Sequence, residues 1–61
     1  MTLYVVLTLC SLANGSCATL RRPVPTVQAC GTYQRITLEA LRVHGVERTH
    51  SIELECREME D

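Results

Sequence analysis

The chain has 61 residues and a mass of 6.8 kDa, and its six arginines and seven acidic residues leave a formal net charge of −1. This balance provides no strong positive field for nucleic acid, and two tyrosines without any Phe or Trp offer no stacking platform for single strands. We therefore expect no nucleic-acid partner. One apolar core in so short a chain supplies only about 3–5 kcal/mol, so disulfides, a metal or a partner must add stability.

The first 18 residues carry no charged side chain, and Leu3–Ala13 has the length of the hydrophobic region of a secretory signal peptide. Ser16 and Ala18 supply the small side chains that signal peptidase reads. The pattern predicts a cleavable N-terminal apolar helix, with residues 1–18 as signal peptide and residues 19–61 as the mature body. We expect the protein to be secreted.

Two other interpretations of this N-terminal segment remain open. Residues 3–20, followed by Arg21 and Arg22, approach the length of a bilayer span, so the chain is alternatively a single-pass membrane microprotein. Any membrane contact is then confined to the N-terminal apolar segment. The absence of Lys, Phe and Trp is also compatible with an open reading frame that has no selected function.

Residues 19–29 contain Pro23 and Pro25, which fix their own backbone and favour extended geometry in the residues before them. This composition predicts a stiff, polyproline-like connector. The remaining residues, 30–61, are expected to fold alone or on binding a partner.

An amphipathic helix is predicted over residues 32–44, with Thr32 as its N-cap and Gly45 closing its C-terminus. Apolar or small residues recur there at helical spacing, at Tyr33, Ile36, Thr37, Ala40, Leu41 and His44. Arg35–Leu41 also alternates as a strand would, but the two caps favour the helix.

Residues 51–58 fit both a strand and a helix. Ser51–Arg57 alternates apolar with charged side chains, as in a strand. The same residues make a helix with Ser51 as cap and a favourable Glu53–Arg57 pair four positions apart. The predicted fold class is therefore small and mainly α, or α+β, with this segment undecided.

Cys10 lies inside the predicted signal peptide, where it is expected to be a small buried apolar side chain, and cleavage after Ala18 removes Cys17. Cys30 and Cys56 remain, and we predict that they form an intrachain disulfide. The bridge closes a loop of about 26 residues and contributes on the order of 3–4 kcal/mol. The alternatives are a disulfide-linked dimer and two unpaired thiols.

No metal, cofactor or catalytic residue is expected. Cys30, His44, His50 and Cys56 could be written as a zinc set, but no two ligands have the close spacing of a zinc knuckle. A Cys/His nucleophile has no pocket in so short a body, so we expect no enzyme.

The favoured function is that of a small secreted non-enzymatic protein that binds an unknown protein partner or receptor. A peptide ligand, a toxin-like effector or inhibitor, and a truncated secreted product all fit this description. An isolated amphipathic helix needs a partner for its apolar side. The predicted partner-binding residues are therefore Tyr33, Ile36, Leu41, Arg35 and Arg42.

Overall fold

The computed structural model of the chain describes residues 1–60, so Asp61, the last residue of the predicted body, lies outside it. The fold is mainly β, with 45% strand and 33% helix, and the prediction of a mainly α fold is wrong. The elements in chain order are β1 (Thr2–Ser11), β2 (Cys17–Pro23), α1 (Val27–Val43), a 3₁₀ helix (Val46–Arg48) and β3 (His50–Met59). The antiparallel sheet has the order β2-β1-β3.

The predicted N-terminal apolar helix is instead the central strand of the sheet. β1 pairs with β2 on one side and with β3 on the other, and its Val5 and Val6 are both buried. The sequence of β1 is apolar at nearly every position on both faces, and periodicity cannot distinguish such a run from a signal-peptide helix. The β-branched and aromatic side chains of residues 2–8 are the strand-forming feature of this run.

A tight hairpin joins β1 to β2. Gly15 has φ +74°, a left-handed conformation that favours glycine, and the Ser16 N–H donates to Asn14 Oδ1 at 2.9 Å. Cys10 and Cys17 lie opposite each other in the two strands and form a disulfide. Cys10 is thus one half of a bridge and not the lone apolar side chain expected from the sequence.

The predicted connector, residues 19–29, is divided between β2 and the first turn of α1. Pro23 is the last residue of β2, which is an edge strand, so its missing N–H costs no bond inside the sheet. Pro25 lies in the bend before the helix. Residues 19–23 are a paired strand of the sheet and not the polyproline-like connector predicted from the sequence.

Helix α1 begins five residues before the predicted start at Thr32. Its N-cap is Thr26, whose Oγ1 accepts from the backbone N–H three positions along at 3.0 Å. Thr32 lies inside the helix, and its hydroxyl donates to the backbone carbonyl four residues earlier. At the other end His44 is the C-cap and Gly45 has φ +71°, in agreement with the predicted left-handed closure.

The undecided segment, residues 51–58, is a strand. It lies within β3, which pairs with β1 along its whole length, from Ser11 opposite His50 to Thr2 opposite Met59. The sequence alone did not decide between strand and helix here, because β1, the strand that pairs with this segment, was assigned to a signal peptide. Burial alternates along the first half of β3, as the period-two pattern requires.

Helix α1 packs on one face of the sheet, here called the covered face, and leaves the opposite face open. The core consists of Val5, Val24 and Cys30, with Cys30 completely buried. Half-buried side chains surround this core: Leu3, Ala29, Tyr33 and Leu54. The Cys30–Cys56 disulfide joins the helix to the edge strand β3 on the same face.

Candidate functional site

A groove lies between α1 and β2 and is here called the α1–β2 groove. It forms because α1 packs over β1 and β3, and the backbones of α1 and β2 do not approach each other. All seven residues of β2 are exposed in consequence. The groove has a volume of about 530 Å³ and is lined by Val5, Leu7, Leu20, Arg21, Arg22, Tyr33, Ile36, Thr37 and Leu54.

Most of the groove surface is apolar. Leu20 on β2 and Ile36 on α1 stand on opposite sides of it and are 62% and 59% exposed. Leu7 and Leu54 are opposite each other in the sheet and belong to its floor. These two large aliphatic side chains therefore offer apolar surface to a ligand, because no other described element covers them.

Two arginines lie along the β2 side of the groove. The Arg22 guanidinium carbon is 5.1 Å from the centre of the Tyr33 ring, on the covered face. Because successive strand residues point to opposite faces, Arg21 projects to the open face, where it lies 6.0 Å from the Tyr4 ring centre. Within residues 1–60 neither arginine has a carboxylate at ion-pair distance. The Arg21 Nη1 atom also lies 3.9 Å from Met59 Sδ. Arg22 alone therefore presents its charge to a ligand in the groove.

The predicted partner-binding residues do not form one surface. Tyr33 and Ile36 both line the α1–β2 groove. Arg35 lies on the other side of the helix, beside a shallow depression next to β3. Arg42 Nε is 3.8 Å from Glu47 Oε2, and Leu41 is half-buried without lining the groove.

Sequence reasoning missed the residues that β1 and β2 contribute to the groove, above all Leu7, Leu20 and Arg22. Leu7 was assigned to the signal peptide, and Leu20 and Arg22 were assigned to the predicted connector of residues 19–29. The sequence does contain a signal for this hairpin: Asn14-Gly15 separates two stretches rich in strand formers, and a cysteine flanks each side.

The cysteines provide no metal or nucleophile site in this structure. All four are paired within the chain, so within residues 1–60 no free thiol is present to form a disulfide-linked dimer. The described residues contain no cluster of three or more His, Cys, Asp or Glu side chains that could hold a metal ion. Over the same residues, no helix has the length and apolar character needed to cross a membrane.

Comparison with known proteins found no matching family model, no similar curated protein and no similar solved structure. The functional argument therefore depends on the groove and on the two disulfides.

Proposed function

We propose that the chain is a small secreted, non-enzymatic protein that binds a protein partner in the α1–β2 groove. The observation that carries the proposal is the combination of an apolar groove of about 530 Å³ with Arg22 on its β2 side, which within residues 1–60 has no carboxylate at ion-pair distance. The partner segment that fits this chemistry carries a bulky apolar side chain beside an Asp or Glu.

Two disulfides in a chain of 61 residues support the proposed location. Disulfides persist in oxidising compartments and are reduced in the cytosol, and small secreted domains use them because their cores are small. This core fits that description, since it contains three buried residues around which only half-buried side chains pack.

The apolar part of the groove supplies the binding free energy in this proposal. Removing apolar surface from water contributes about 25 cal/mol per Å², and Leu20 and Ile36 keep more than half of their surface exposed. A partner side chain placed between them buries both at once. Such central apolar contacts are the usual source of affinity in protein interfaces.

Arg22 supplies selectivity for acidic segments. Arg22 stacks against Tyr33, which restricts its guanidinium before binding and lowers the entropy lost when it pairs with a carboxylate. A planar guanidinium can donate two parallel hydrogen bonds to one carboxylate. Basic peptides of the same apolar content are therefore expected to bind more weakly.

Selection of displayed random peptides against the oxidised full chain tests the proposal. We expect the recovered peptides to combine acidic with large aliphatic or aromatic residues. Fluorescence anisotropy with one recovered peptide should then show binding about tenfold weaker for Leu20→Asp and for Ile36→Asp, since each variant places a charge in the apolar groove.

Val43→Asp is the matched control, because Val43 is on the same helix, is 77% exposed and does not line the groove. It should bind like the wild type. Recovery of peptides without acidic residues, or equal affinity of the Ile36→Asp and Val43→Asp variants, would contradict the proposed site.

A further inference from the structure

The two free edges of the sheet carry opposite charge. The edge strand β2 has two basic residues, Arg21 and Arg22, and no acidic one. The other edge strand, β3, has three acidic residues, Glu53, Glu55 and Glu58, against Arg57 alone. Unpaired strand edges are templates for pairing with another chain, and charges on an edge decide which pairings are tolerated.

This charge distribution disfavours both symmetric pairings between two copies. A β2–β2 contact brings four arginines together, and a β3–β3 contact concentrates six glutamates. Like charges on neighbouring strands are destabilising, whereas opposite charges contribute favourably. Only the contact of β2 in one copy with β3 in the next joins a basic edge to an acidic one.

The strand directions and the apolar side chains agree with this contact. β2 and β3 both run antiparallel to β1, so they are parallel to each other, and a simple translation brings them together with both helices on the covered face. In one register Arg21 then lies beside Glu55, which also forms an ion pair with Arg57 at 2.6 Å, and Leu20 lies beside Leu54. Pro23, which has no N–H, limits this new ladder to the residues before it.

A depression along β3 can receive Leu20 in this register. It has a volume of about 420 Å³, and its lining includes Leu38 and Leu54. Leu20 of the next copy would enter it from the side of the free edge and lose much of its 62% exposure. The shape and the apolar lining thus favour the same pairing as the charges.

We propose that a second copy of this chain docks its β2 edge, in parallel, against β3, which extends the sheet into a head-to-tail assembly. The assembly keeps one basic edge free at one end and one acidic edge free at the other, so it is open and grows with concentration. The inference does not depend on the groove partner. Glu53 and Glu55 lie outside the α1–β2 groove, so the two proposals can fail separately.

A charge-exchange experiment tests the contact by sedimentation velocity of the oxidised full chain. The wild type should form larger species as its concentration rises, and added salt should reverse this, because exposed charge pairs are screened. The variants R21E/R22E and E53R/E55R should each associate at least about tenfold more weakly, since each makes both edges alike in charge. Mixed in equal amounts, the two variants should associate again.

Arg48→Glu is the control, because Arg48 is exposed in the 3₁₀ helix and lies on neither edge. It should behave as the wild type. Far-UV circular dichroism and a thiol assay establish that each variant is folded and oxidised. If one variant does not fold, the salt dependence of the wild type and the other variant still decide the question. A wild type that stays monomeric at every concentration, or folded variants that do not associate when mixed, overturns the proposal.

Discussion

The two disulfides hold very different parts of the molecule. Cys10 and Cys17 are seven residues apart and already face each other across a hydrogen-bonded hairpin. Cys30 and Cys56 are 26 residues apart and join α1 to β3, two elements that share no backbone ladder. The first bridge reinforces a contact that the backbone makes anyway. The second, with a few apolar side chains, is what holds the helix on the sheet.

The largest expected effect on stability comes from removing β1, the central strand that both disulfide-bridged regions need. The polypeptide of residues 19–61, which the predicted cleavage after Ala18 would release, lacks β1, the first two residues of β2 and the whole Cys10–Cys17 bridge. The rest of β2 and β3 are then left without their shared neighbour. Two isolated strands are not stable in water, so we expect this polypeptide to be unfolded and rapidly degraded by proteases. Far-UV circular dichroism and limited proteolysis provide the measurement.

The full chain, oxidised under the same conditions, is the control. Equal sheet signal and equal protease resistance in residues 19–61 would show that β1 is dispensable. N-terminal sequencing of protein from a secreting host tests the predicted cleavage itself. A product beginning at Thr19 would mean that the secreted form does not contain this sheet.

The next effect separates the two bridges directly. Replacing Cys30 and Cys56 together by alanine should lower the free energy of unfolding by about 3–4 kcal/mol, and the same change at Cys10 and Cys17 by about 2 kcal/mol. The larger value follows from the longer loop, and the complete burial of Cys30 adds a packing loss. Urea unfolding of both double variants measures the difference, and equal losses would contradict it.

The smallest effect concerns the start of the helix. Thr26→Ala removes the side-chain acceptor for the first turn of α1 and should lower the free energy of unfolding by about 1 kcal/mol. Thr32→Ala is the matched control: its hydroxyl only donates to a carbonyl that is already in the helix, so we expect a change below about 0.5 kcal/mol. A larger loss of thermal stability for Thr32→Ala than for Thr26→Ala would support the helix start at Thr32 that the sequence predicts.

The helix could be predicted from the sequence, and the strand pairings could not. The spacing of Tyr33 and Leu41, with Gly45 after them, indicates a helix, although its start was placed five residues too late. A disulfide-bonded small protein was predicted correctly. β1 was missed because an apolar run of its length suits a signal peptide and a central strand equally well. The error propagated to Leu20 and Arg22, whose positions in the groove follow from the pairing of β2 with β1.

The register that places Thr2 opposite Met59 has a consequence for biosynthesis. β1 leaves the ribosome before β3, so the β1–β3 half of the sheet cannot assemble until residues 12–59 have also emerged. The β1–β2 hairpin can close earlier, and the β1 edge that later pairs with β3 then stays unpaired until β3 has emerged. Pairing between such distant segments is slow to form. During that interval the edge of β1 that later pairs with β3 is accessible to chaperones, or to the β1 strand of a neighbouring polypeptide.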